Sequence, residues 1–122
     1  MYGFDVYTTE VDYQGIDFII KGTDNEYYDV QVKSVLRSNY IYMNKKKFDL
    51  RKNLLLVLIV HEENQAPNIY LIPSLEWEKP TALLVDRNYE GKKSAPEWGI
   101  SLSKKNNTLL QKFDFDTMVK SL

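Results

Sequence analysis

The sequence contains no cysteine, which excludes a disulfide framework and any thiolate metal site. It contains a single histidine, His61, so no metal centre built on paired imidazoles is available either. Charge of one sign is not in excess: 16 Lys and Arg stand against 17 Asp and Glu. Bulk charge therefore gives no pull toward nucleic acid, and any grip on phosphates has to come from local clustering. The longest apolar run, 54–60, is far too short to cross a bilayer. No secretory signal pattern precedes the first predicted strand, and a cytoplasmic location is the expectation. Internal repeats, low-complexity tracts and interdomain linkers are missing as well. The 122 residues, 43% hydrophobic and 27% charged, fit one soluble globular domain spanning 1–122.

The informative stretch begins at Gly15-Ile16-Asp17-Phe18-Ile19-Ile20 and resumes at Tyr27-Tyr28-Asp29-Val30-Gln31-Val32-Lys33-Ser34. Both runs are β-branched and aromatic, and 21–26 between them is rich in turn residues, so they read as two antiparallel strands of a hairpin. Side chains alternate along a strand, so Gln31 and Lys33 share one face. Asp17 has the parity of Ile19, and a plausible register brings it beside that pair. A carboxylate, an amide oxygen and an ammonium then meet on one sheet surface.

Elsewhere, 2–11 favours a strand, and 35–42 extends or leaves the third strand. Residues 43–50 form a short helix or turn anchored by Phe48. The run 54–60 fits a strand buried on both faces, and 69–72 returns beside it, with Pro73 as its stop. Ser74 is an expected N-cap for one turn through Trp77. Residues 79–103 show no sustained period, although 81–85 adds a short strand or turn, and Trp98 and Ile100 are expected to pack on the core. Asn106, Asn107 and Thr108 are placed to cap a helix carrying Leu109, Leu110 and Phe113, and Asp116 to cap a last one carrying Met118, Val119 and Leu122.

Gly15-Ile16-Asp17 followed by Gln31-Val32-Lys33-Ser34 resembles the signature of the PD-(D/E)XK nuclease superfamily, an Asp on one strand and an acid-x-Lys on the next. Lys47-Phe48, Tyr70-Leu71-Ile72-Pro73-Ser74, Trp77, Pro80 and Pro96-Glu97-Trp98-Gly99-Ile100 carry a narrower resemblance, to a bacterial nuclease-like family within that superfamily. The resemblance implies an α/β (α+β) fold: a central mixed sheet with a few short flanking helices and a restriction-endonuclease-like core. In that superfamily a helix usually precedes the first strand, whereas almost nothing does here. A trimmed chain, a missing helix and a covering partner chain all account for this, and the last makes a homodimer an expectation.

What the resemblance further implies is metal-assisted hydrolysis of DNA phosphodiester bonds at Asp17, Gln31 and Lys33. Asp17 would bind Mg²⁺ or Mn²⁺, with the Gln31 amide oxygen and the Val32 carbonyl as further ligands. Gln31 stands where most relatives have Glu, which removes a negative charge from the site. Glu10, or else Asp12, is the candidate to restore it, unless both are solvated strand-end acids. Lys33 would position the attacking water. Lys45, Lys46, Lys47, Arg51 and Lys52 form the densest basic segment, either a phosphate-tracking surface or a solvated turn, and Tyr40 and Tyr42 add aromatic surface for splayed bases. Ser34 has no base evident in the sequence, so serine nucleophile chemistry is not expected. The competing functional class is an inactive nuclease-fold module that binds nucleic acid or a protein partner.

Overall fold

The computed structural model describes residues 16–36, 38–89, 91 and 93–122, and the backbone alone of 5–13. The chain forms strands β1 (Asp5–Tyr13), β2 (Ile16–Lys21), β3 (Tyr27–Leu36), β4 (Tyr40–Asn44), β5 (Leu54–His61), β6 (Asn68–Pro73), β7 (Leu84–Arg87) and β8 (Glu97–Ser101). Two short helices, α1 (Asn107–Gln111) and α2 (Phe115–Val119), close the chain. The architecture is α+β: a five-stranded mixed sheet in the order β1-β2-β3-β5-β6, with a three-stranded antiparallel sheet β4-β8-β7 on one side.

The hairpin β2–β3 forms because 22–26 closes a turn. Gly22 and Glu26 bond at 2.8 Å, Asn25 donates to the Gly22 carbonyl at 3.1 Å, and Asn25 takes the left-handed conformation at φ 66°. From β3 the chain leaves for the small sheet through β4, then returns as β5 parallel to β3. The 54–60 run occupies the middle of the large sheet because both its faces are covered. Leu54, Leu56 and Leu58 enter the core beneath the small sheet, while Leu55 packs with Val30 and Leu71 on the other face. Continuous apolarity is what such a strand requires. Among the described residues no helix is long and apolar enough to cross a membrane.

Phe48 anchors the turn after β4, fully buried against Trp77 edge to face at a ring separation of 5.4 Å. A short 3-10 helix at Ser74–Glu78 brings Trp77 into the core, where its indole donates to the Gly99 carbonyl at 2.9 Å. Ser74 is not its N-cap. The hydroxyl is buried instead and bridges Arg51, accepting from its N–H at 3.0 Å and donating to its C=O at 2.7 Å. Burial made that tie worth more than capping a short, partly exposed turn.

The stretch without period holds β7, which overlaps the short strand or turn expected at 81–85, and β8, which is a second departure from the sequence expectation. Their pattern is obscured because Glu97 and Gly99 are buried on the face opposite Ile100. Asn106 is also buried rather than acting as a cap through its side chain, donating to the Ser101 and Ala82 carbonyls at 3.0 and 3.1 Å. The last helix is capped by Asp114, which accepts from the Thr117 N–H at 3.3 Å, and Asp116 lies within its first turn.

Candidate active site

The antiparallel ladder between β2 and β3 reaches Phe18↔Val30 and goes no further. One step beyond it, the Asp17 side chain takes over from the backbone: its Oδ2 accepts the Val32 N–H at 2.6 Å. The carboxylate thus caps the point where the two strands part. In an extended strand a residue's N–H and C=O point to the same edge, so the Val32 carbonyl turns to this opening as well.

Asp17, Gln31, Val32 and Lys33 line one cleft of about 730 Å³, walled opposite by β4 and by Lys47. Gln31 is only 5% exposed, and its Nε2 donates to the Lys47 carbonyl. The amide is therefore oriented: nitrogen toward the turn after β4, oxygen on the other side. Lys33 is half-buried and Asp17 is exposed at the rim. The sequence trio accordingly lines a single cleft, bounded on its other side by β4, the edge strand of the small sheet.

The donor chemistry suits a hard divalent cation, with one carboxylate and two neutral oxygens on adjoining strands. Low charge is its peculiarity, because among the described residues no group of three His, Cys, Asp or Glu is placed to hold a metal. Glu10 lies on β1, whose side chains fall outside the described residues, as does that of Asp12.

The basic segment divides. Arg51 pairs with Asp29 at 2.6 Å, and Lys52 approaches Glu26 at 3.9 Å on the exposed surface. Lys45 pairs with Asp86, meets Asn88 Oδ1 at 2.7 Å and lies 3.9 Å over the Trp98 ring. These three hold strands and turns together. Lys46 and Lys47 are exposed, and Lys47 alone of the segment lines the cleft.

Sequence reasoning missed two contacts. Ser34 does have a histidine beside it, with His61 Nε2 2.7 Å from its Oγ, because parallel pairing of β3 and β5 brings their ends together. No sequence spacing encodes that pairing. Tyr40 donates to Glu97 Oε2 at 2.5 Å and lies under the Arg87 guanidinium at 4.3 Å. Burial and the Glu97 carboxylate both push the Tyr40 phenol well above its ordinary value, while Arg87 pulls the other way. A second cleft, of about 630 Å³ and lined by amides and hydroxyls such as Asn39, Asn68 and Gln111, opens elsewhere on the molecule.

No family model and no curated protein matches the sequence. In structure the chain is similar to a Holliday junction resolvase from Archaeoglobus fulgidus, an archaeal hyperthermophile. The TM-score is 0.57 at 10% identity, covering 98% of this chain and 84% of that one. That resolvase belongs to the restriction-endonuclease-like PD-(D/E)XK superfamily, and the likeness is one of fold.

Proposed function

We propose that this domain, on its nuclease-like fold, is a divalent-metal-dependent nuclease that hydrolyses DNA phosphodiester bonds at Asp17, Gln31 and Lys33. The observation that carries the reading is the Asp17–Val32 bond of 2.6 Å at the parting of β2 and β3, with Gln31 and Lys33 on the same cleft. The Asp17 carboxylate, the Gln31 amide oxygen and the Val32 carbonyl would hold Mg²⁺ or Mn²⁺, with Glu10 as the candidate further ligand from β1. Such an ion would supply Lewis-acid polarisation of the phosphate and lower the pKa of a water.

The chain's own groups do the rest. Val32 N–H fixes one oxygen of the Asp17 carboxylate and with it the orientation of the group where the strands part. The Lys47 carbonyl engages the Gln31 amide nitrogen, which leaves the amide oxygen as the group's acceptor for the ion. The Lys33 ammonium orients the attacking water by hydrogen bonding and offsets negative charge growing on the phosphate oxygens. Lys46 and Lys47 add positive charge beside the cleft that attracts the phosphate backbone, and Lys45, Arg51 and Lys52 contribute to the frame through their salt bridges.

A second reading, a nuclease-fold module that binds nucleic acid without cutting it, is favoured by the single described carboxylate of the cleft and the neutral Gln31. One experiment separates them: plasmid and single-stranded DNA incubated with Mn²⁺ and the wild type, Asp17→Ala or Lys33→Ala. The nuclease reading expects metal-dependent cutting that both substitutions abolish. No cutting, with DNA retained in a gel shift, supports the binder.

A further inference from the structure

We infer that the outer face of the three-stranded sheet is a docking platform for single-stranded DNA, with an unpaired base stacked on Tyr42. The inference rests on the reading of the neighbouring cleft as a nucleic-acid site and names the form of DNA that the site takes. In β4, Ile41 and Met43 turn into the core, so Tyr40, Tyr42 and Asn44 stand on the outer face. Across the ladder, Tyr42 faces Gly99, a residue with no side chain to pack against it. Tyr40 occupies the space above that glycine. A Cβ built on Gly99 would fall 2.6 Å from Tyr40 Cε1 and closer still to its hydroxyl.

The two tyrosines therefore differ in kind. Tyr40 is fixed from both sides, by Glu97 below and Arg87 above. Tyr42 is 56% exposed and lines the same cleft as Asp17 and Lys33. An aromatic ring held open on a rigid strand, beside a wall bearing Lys33 and Lys47, has the makings of a nucleotide site: a π-face for the base and cations for the phosphates. In a duplex both faces of each base are covered by its neighbours, so the ring can take only an unpaired or splayed base. Arg87, stacked on Tyr40, presents a pre-ordered guanidinium on the same face for a further phosphate.

Fluorescence anisotropy in EDTA, with the full chain, a labelled oligothymidylate and a blunt duplex of equal length, tests this without cleavage. The wild type binds the single strand more tightly. Tyr42→Ala weakens single-strand binding on the order of tenfold or more, while Tyr42→Trp, which keeps a ring, restores it. Duplex binding stays the same in all three proteins. Wild-type affinity in Tyr42→Ala, an equal loss for both DNAs, no single-strand binding by the wild type or a wild-type preference for duplex overturns the platform. Metal-dependent cutting without any Tyr42 effect leaves the nuclease reading standing alone. Tyr42-dependent binding without cutting does the reverse.

Discussion

Asp17 and Val32 sit on neighbouring strands, and the carboxylate of the first replaces a backbone acceptor for the N–H of the second at 2.6 Å. The bond gives Asp17 a structural duty separable from the chemical one proposed for it. Asp17→Asn keeps an oxygen for Val32 and is expected to stay within about 0.5 kcal/mol of the wild type in urea unfolding. Asp17→Ala is expected to cost about 1 kcal/mol, since water replaces the acceptor at this exposed rim. Both are expected to lose metal-dependent cleavage by on the order of a hundredfold or more. Parallel urea and cleavage measurements check the split.

Gln31 is buried and donates to the Lys47 carbonyl, a bond an ionised carboxylate cannot make. Gln31→Glu, the substitution toward the superfamily's usual acid, is expected to destabilise the fold by about 1–3 kcal/mol at neutral pH. Protonated, the new acid donates again. Its folded-state pKa is then raised above the unfolded value of about 4.3, and stability present below that pH falls as pH rises through the folded pKa. Thermal melts at stepped pH, with and without Mg²⁺, read both the loss and any recovery by bound ion.

Gly99 has no room for a β-carbon beneath Tyr40. Gly99→Ala is expected to cost about 1–3 kcal/mol by overpacking. In a Tyr40→Ala background the obstruction is gone and the same substitution is expected to cost less. A double-mutant cycle in denaturant measures the coupling.

Burial and then the hydrogen bond to Glu97 hold the Tyr40 phenol protonated beyond its ordinary range. A raised folded-state pKa gives stability that is complete below the unfolded value of about 10 and is lost as pH rises through the folded one. Ultraviolet titration of phenolate is expected to lose a late-ionising tyrosine in Tyr40→Phe, while Tyr28, raised by burial and by Asp24, still ionises late in both proteins. The alkaline loss of stability is expected to be shallower in that variant.

What the sequence made legible was local. The β2–β3 hairpin follows from two β-branched runs around a turn, and β5 from its unbroken apolar stretch. Phe48 was readable as an anchor because a large apolar residue amid charge has nowhere else to go. What stayed hidden depends on partners distant in the chain. Glu97 and Gly99 interrupt any apolar pattern in β8, and only the arrival of Tyr40 explains them. The charges of Lys45 and Arg51 looked available until Asp86 and Asp29 were folded beside them. Ser74 and Asn106 have the side chains of caps, and burial redirected both to remote backbone. At the site, parity put Gln31 and Lys33 on a shared face and an assumed hairpin register brought Asp17 beside them, but nothing in the sequence announced the Lys47 carbonyl that orients Gln31.

The bonds Gln31–Lys47 and Trp77–Gly99 each join the large-sheet side of the molecule to the small sheet or its turn. Gln31 and Lys47 both line the cleft, so the first of these bonds ties two of its walls to each other.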